Sequence, residues 1–291
     1  MPRRTASSAS KGPWHWFLVA CIAAAGVAHA QDPDPEASPI WQKVRADLFA
    51  GKTIAPGDGV VSLEVPARAQ DPAMIPLTIR AQFPQTSERY IERIWLLVDN
   101  NPSPIAAVFQ FTRLSGRADI ETRIRLEQYS QVRAIAATND GALYMASRYV
   151  KAAGGCSAPS GPDAAAAKAN LGKMRLLLDE ATPPGQPALA RLMISHPNAS
   201  GLAMDQLSRT YAPPHFVRSI EVRYAGELVL RADVDFTISE NPYFRFYIVR
   251  ADEALLEAKV VDNQDLVFTE TIRTWAAHPS TPSSEAARRA R

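Results

Sequence analysis

Cys156 is the residue whose setting points most directly to chemistry. It lies in Lys151-Ala152-Ala153-Gly154-Gly155-Cys156-Ser157-Ala158-Pro159-Ser160-Gly161-Pro162, a stretch without a single bulky side chain. Glycine adds backbone freedom and proline removes donors and breaks regular structure, so this composition predicts a segment that neither holds a helix nor buries a core. The thiol is therefore expected to be exposed and mobile. Cysteines that serve packing are among the most buried residue types, and the setting of Cys156 is the opposite. Gly154 and Gly155 are assigned the flexibility of the arm, since glycine backbone enters a narrow channel without side-chain collision. An ordinary thiol has a pKa of about 8.5 and is only a few per cent thiolate at neutral pH. With Lys151 as the one nearby cation, such a thiol suits being loaded by another enzyme better than attacking substrates itself. That is the logic of a swinging carrier arm. An interdomain linker that merely contains a cysteine has the same composition and stands as the alternative.

Other chemistries find little support. There is no Cys-x-x-Cys-His for covalent haem, no glycine-rich phosphate loop, no Gly-x-Ser-x-Gly elbow and no His-Glu-x-x-His. Beyond the leader the histidines are His196, His215 and His278. His196-Pro197 and Pro213-Pro214-His215 read as structural turns, although pairing of Cys156 with either ring as a nucleophile is conceivable. A blue-copper site needs a rigidly held cysteine with two histidines, which a glycine-flanked arm does not provide. No catalytic residue and no metal ligand is assigned, and the chain is read as a non-enzyme without a cofactor, apart from a covalent sulfur adduct on Cys156.

The elements that must position this arm begin after an export leader. Arg3, Arg4 and Lys11 precede an apolar run from Trp16 to Ala28, and Ala28-His29-Ala30 is a small-x-small cleavage pattern. Residues 1–30 are read as a signal peptide cleaved after Ala30, which implies a periplasmic protein with no membrane span once the leader is gone. Cys21 lies inside the apolar run instead of ending it, which argues against lipoprotein processing. The mature chain carries a formal charge of −1, from +2 less the three basic residues of the leader, so a nucleic-acid or anionic-membrane partner is not expected. It also retains one cysteine of the two, which rules out an intramolecular disulfide.

Period-2 alternation dominates the rest. Ile40, Trp41, Val44 and Leu48 recur at helical spacing and predict one short helix. Ile120, Thr122, Ile124 and Leu126 then alternate against Asp119, Glu121, Arg123, Arg125 and Glu127, the pattern of a half-buried antiparallel strand. Asp99-Asn100-Asn101-Pro102 is a strong turn signal, and Asn139-Asp140-Gly141 closes a hairpin whose second strand leads into the arm. About seven short strands in each half predict an all-β chain: two tandem immunoglobulin-like β-sandwich domains, a short N-terminal helix and a flexible cysteine-bearing arm between the sandwiches. The divisions are 38–153 for the first sandwich, 154–171 for the flexible linker, 172–275 for the second sandwich and 276–291 for a polar, disordered tail.

The first half resembles SoxY, the carrier of periplasmic sulfur oxidation, through Phe49-Ala50-Gly51-Lys52, Ile94 to Pro104, Thr122-Arg123-Ile124-Arg125-Leu126, Val132 to Ala136, Asp140 to Ala146 and Gly154-Gly155-Cys156. The second half resembles its partner SoxZ through Ile194-Ser195-His196-Pro197, Gly201-Leu202, Pro214-His215-Phe216-Val217, Asn241 to Phe246 and Asp262-Asn263. The whole is similar to fused SoxY and SoxZ carriers associated with quinoprotein dehydrogenases. The resemblance implies paired sandwiches within one chain, Cys156 as the covalent carrier of a sulfur intermediate such as that of thiosulfate oxidation, and sulfur-oxidation enzymes or a quinoprotein dehydrogenase as partners. SoxY proper ends in Gly-Gly-Cys-Gly-Gly at a free terminus, whereas this arm continues through Ser157-Ala158-Pro159 into a second domain. That departure opens a second reading: an accessory module that binds a periplasmic quinoprotein dehydrogenase, its cysteine vestigial.

Overall fold

Helix α1 spans Pro39–Phe49 because Ser38 caps it, its hydroxyl accepting the Trp41 N–H at 3.2 Å, and because Pro39 occupies the first helical turn where its missing donor costs nothing. The computed structural model describes residues 32–159, 164–204 and 209–275. The leader with Cys21 and the cleavage point, residues 160–163 of the linker, and the tail with His278 lie outside the described residues. In chain order the strands are β1 (Ile54–Pro56), β2 (Val61–Glu64), β3 (Ile75–Ala81), β4 (Ile91–Val98), β5 (Ile105–Phe111), β6 (Ile120–Ile124), β7 (Ser130–Thr138) and β8 (Leu143–Val150). After a seven-residue helix, α2 (Ala164–Asn170), come β9 (Met174–Leu178), β10 (Pro187–Ile194), β11 (Val217–Tyr224), β12 (Glu227–Val234), β13 (Tyr243–Val249), β14 (Ala254–Asp262) and β15 (Val267–Thr274). No described helix is long and apolar enough to cross a membrane.

The chain is an all-β, immunoglobulin-like protein whose two halves share their sheets. One nine-stranded sheet runs β1-β8-β7-β4-β5-β12-β11-β14-β15, and one six-stranded sheet runs β2-β3-β6-β13-β10-β9. The halves join edge to edge in both layers. In the larger sheet β5 pairs antiparallel with β12, from Phe111 opposite Leu230 to Ala107 opposite Val234. In the smaller one β6 meets β13 at Glu121 opposite Arg245, where the two side chains form an ion pair at 2.6 Å. Each half thus covers an edge that would otherwise expose unpaired backbone groups. Between the sheets, buried apolar residues of both halves form one continuous core, with the Phe109 ring edge-on to Phe244 at 6.3 Å across the join.

Of the residues expected on the inner face of the helix, Trp41 and Val44 pack inward, and Phe49 joins them in place of Ile40 and Leu48. Trp41 and Phe49 pack with Leu97, Ile135 and Leu143 on the outside of the larger sheet, while Ile40 and Leu48 face solvent. Arg133 decides this: its side chain is fully buried, forks onto Asp99 at 2.8 and 2.7 Å, stacks on the Trp41 ring at 4.4 Å and donates to the Pro35 carbonyl. The short β1, parallel to β8, has no counterpart in the sequence reading, because three residues ending in proline show no alternation to read.

Candidate functional site

Strand β6 ends at Ile124, earlier than its pattern predicts, because Arg125, Leu126 and Glu127 are drawn out of the ladder. Arg125 N–H donates to Thr237 O at 2.8 Å, Leu126 N–H to Pro72 O at 3.0 Å, and Glu127 N–H to the Asn101 side-chain oxygen at 2.9 Å. Asn101 in turn donates to Arg125 O at 2.8 Å and to the Thr237 hydroxyl at 3.2 Å. The turn Asp99-Asn100-Asn101 therefore supplies the acid for Arg133 and, two residues on, the amide that shapes the seam.

The cysteine-bearing segment docks against this diverted strand end. Gly154 and Gly155 donate to the carbonyls of Glu127 and Leu126 at 2.9 and 2.8 Å. The Glu127 carboxylate accepts the backbone N–H groups of Cys156 and Ser157 at 2.9 and 3.0 Å and the Ser157 hydroxyl at 2.9 Å. From the other half of the chain, the Ser200 hydroxyl donates to the Cys156 carbonyl. Cys156 is consequently buried, with 1% of its surface exposed.

The expectation of an exposed, mobile thiol is corrected by this geometry. Small side chains do not bury themselves through apolar area, but here converging donors and acceptors bury the backbone, and the thiol goes with it. The glycine roles are corrected as well. A Cβ on Gly155 would lie 2.0 Å from Pro72 O and 2.8 Å from Leu126 O, so Gly155 serves close backbone approach, whereas Gly154 supplies the left-handed φ of +83°. Gly155→Ala is expected to dislodge the turn and speed labelling of Cys156 by iodoacetamide at least ten-fold. Gly154→Ala, with open space around its Cβ position, should cost only the left-handed penalty of about 1–2 kcal/mol. Time courses of labelling followed by intact mass compare the two.

Burial pushes the Cys156 thiol up to about 12; the Glu127 carboxylate adds to the rise and the Arg125 guanidinium opposes it. Arg125 is itself buried, donates to the carbonyls of Asn198 and Phe236, and is held below the usual guanidinium range by desolvation. In this stowed state the thiol is neutral and a poor nucleophile.

His196 and His215 gather on Asp262, a residue absent from the site expected from sequence. His215 Nε2 lies 2.7 Å and His196 Nε2 3.5 Å from the same carboxylate oxygen, and the rings meet edge to face at 4.6 Å. Two imidazoles and a carboxylate, with donor atoms within 4.8 Å of one another, have the composition of a metal site. The tautomer speaks against it. His196 Nδ1 accepts the Asn198 N–H at 3.1 Å, so the neutral ring carries its proton on Nε2 and offers no lone pair there. Burial, then the neighbouring His215, pushes His196 down to about 4, keeping it neutral. Burial alone would raise Asp262, but hydrogen bonds from His215 and from the Leu266 and Gln264 amides hold it below the usual carboxylate range. The cluster fixes the loop that seals the thiol, since Ala199 and His215 exchange backbone hydrogen bonds at 2.7 and 3.0 Å one residue before Ser200. Arg125 and Glu127 as strand residues and Asp262 as a motif residue carry no site role in the sequence, and Ser200 is not singled out there, because each stands in a pattern that a solvated strand face or turn also produces.

Two family models match the chain in tandem: sulfur oxidation protein SoxY over residues 45–156, and sulphur oxidation protein SoxZ over residues 174–273. No curated protein sequence matches. Among solved structures, the sulfur carrier protein SoxY from Chlorobium limicola f thiosulfatophilum is 21% identical over 39% of this chain and 91% of that chain, with a TM-score of 0.32. A superoxide reductase (neelaredoxin) from Ignicoccus hospitalis is 16% identical over 32% and 78%, at 0.29, and the fibronectin(III)-like modules of Clostridium thermocellum CbhA are 7% identical over 74% and 93%, at 0.23. At these TM-scores the structural likenesses support no conclusion about function.

Proposed function

The chain is a SoxY-like domain fused to a SoxZ-like domain and belongs with the sulfur-oxidation proteins; from that premise we propose that it is a periplasmic covalent carrier of sulfur intermediates, with Cys156 as the attachment point. The observation that carries the reading is that the SoxY match runs through the Gly-Gly-Cys turn and ends on Cys156. The same turn lies in no strand or helix and is held by discrete hydrogen bonds, so it can leave the body without unravelling a sheet. The protein holds no catalytic centre of its own in this reading. Periplasmic sulfur-oxidation enzymes load and unload the thiol, and the fused SoxZ-like half supplies in one chain the surface that a separate subunit would otherwise bring.

A second reading, an accessory module for a periplasmic quinoprotein dehydrogenase with a vestigial cysteine, draws on the burial of the thiol. Intact-mass analysis of the protein purified from its native host separates the two. Carriage predicts a thiol-labile adduct on Cys156, a thiosulfonate or persulfide, on a chain beginning at Gln31, and loss of host sulfur oxidation in Cys156→Ser. An unmodified Cys156 together with an unimpaired Cys156→Ser strain would favour the accessory module.

A further inference from the structure

The donors that hold the arm are carried by the residue to be loaded and its neighbour. Two consecutive backbone N–H groups, of Cys156 and Ser157, and the Ser157 hydroxyl converge on Glu127, which is the composition of an anion-binding nest with a carboxylate seated in it. We propose that Glu127 is the positioning residue of the carrier cysteine: it stows the Gly154–Ser157 turn while Cys156 bears a free thiol, and an anionic sulfur group on Sγ displaces it and releases the arm. This inference rests on the carrier reading and states how that site is regulated by its own cargo.

Three features support it. Burial is the first: Cys156 is 1% exposed, so while the turn is stowed a group added to Sγ has to be taken up inside the protein, where added volume is destabilising. Charge is the second. A negative group on Sγ would lie beside Glu127, with Asp235 also bearing on the thiol, in a desolvated setting where like charges repel strongly. The counter-charge available there, Arg125, already spends Nη1 on the Asn198 and Phe236 carbonyls. Competition is the third, because a sulfonate tethered to Sγ brings three acceptor oxygens to the same N–H groups that Glu127 occupies. Against these stands a turn anchored by no large apolar side chain, so its release forfeits hydrogen bonds and the burial of one thiol.

The experiment uses the full mature chain loaded in vitro. With tetrathionate, the thiolate attacks a central sulfur, the S–S bond breaks, thiosulfate leaves with the electron pair, the thiol proton passes to buffer and Cys–S–S–SO₃⁻ remains. Methyl methanethiosulfonate supplies the uncharged Cys–S–SCH₃ for comparison, with methanesulfinate as leaving group. Amide exchange at residues 154–157, all four of which are hydrogen-bonded in the stowed turn, is expected to rise at least ten-fold in the anionic adduct and less in the neutral one. In unloaded protein, Glu127→Gln and Glu127→Ala should each label with iodoacetamide at least ten-fold faster than wild type while Tm stays within a few degrees. Unchanged exchange in the anionic adduct would overturn the proposal, as would thiols in both variants as slow as wild type. An adduct-free protein from the native host would instead count against carriage, without touching the release measured in vitro.

Discussion

At pH 8 the native protein is expected to alkylate at Cys156 about a thousand-fold more slowly than its unfolded chain. A thiol with an ordinary value near 9 is roughly one-tenth ionised at that pH, while one pushed up to about 12 is ionised to about one part in ten thousand. Burial adds a steric term of the same sign. The measurement is iodoacetamide labelling with and without denaturant. Labelling of the native protein at the rate of free cysteine would show that the thiol is exposed and the stowed turn wrong.

The same shift fixes a pH dependence. Below the unfolded value near 9 both states hold the proton and Cys156 contributes no pH dependence. Between about 9 and about 12 the unfolded chain loses the proton and the stowed state keeps it, so stability falls as pH rises, by about 1.4 kcal/mol per unit. The fall stops where opening the turn becomes easier than retaining the proton, and Cys156→Ser should remove that component of the profile.

The largest stability effect is expected at Asp99, in the turn that also carries Asn101. Asp99→Ala leaves the fully buried Arg133 guanidinium with the Pro35 carbonyl, the Trp41 face and a distant Glu36 at 3.9 Å in place of its bidentate acid. Removing one partner of a buried pair costs about 3–5 kcal/mol because the other charge stays uncompensated. For a chain of this size that corresponds to a Tm lowered by about 10 °C. Arg133→Met on the Asp99→Ala background should recover part of the loss by removing the stranded charge. Calorimetry of both variants checks the sign. A near-neutral Asp99→Ala would mean that Arg133 reaches water and α1 is held by other contacts.

Much of the architecture was legible in the sequence for a simple reason. A strand with one face on a core and one in water must alternate, so β6, β12 and β13 and the Asn139-Asp140-Gly141 hairpin announce themselves residue by residue. The order of the halves, the glycine-cysteine turn and the turn at Asp99-Asn100-Asn101 are equally local properties. The tertiary structure alone decided what those residues touch. Alternation describes Arg125 and Glu127 as solvent-facing strand residues, yet Asn101, Thr237 and Pro72, distant in sequence, pull them from the ladder and turn them toward the seam. Composition describes Gly154–Ser157 as an arm without reason to be buried, because burial by apolar area is what composition reports. Its actual burial comes from hydrogen bonds to Glu127, 29 positions back, and Ser200, 44 positions on. The Ser200 contact reaches across the join made by β5 and β12, and neither it nor the Glu127 contact is encoded by any local pattern.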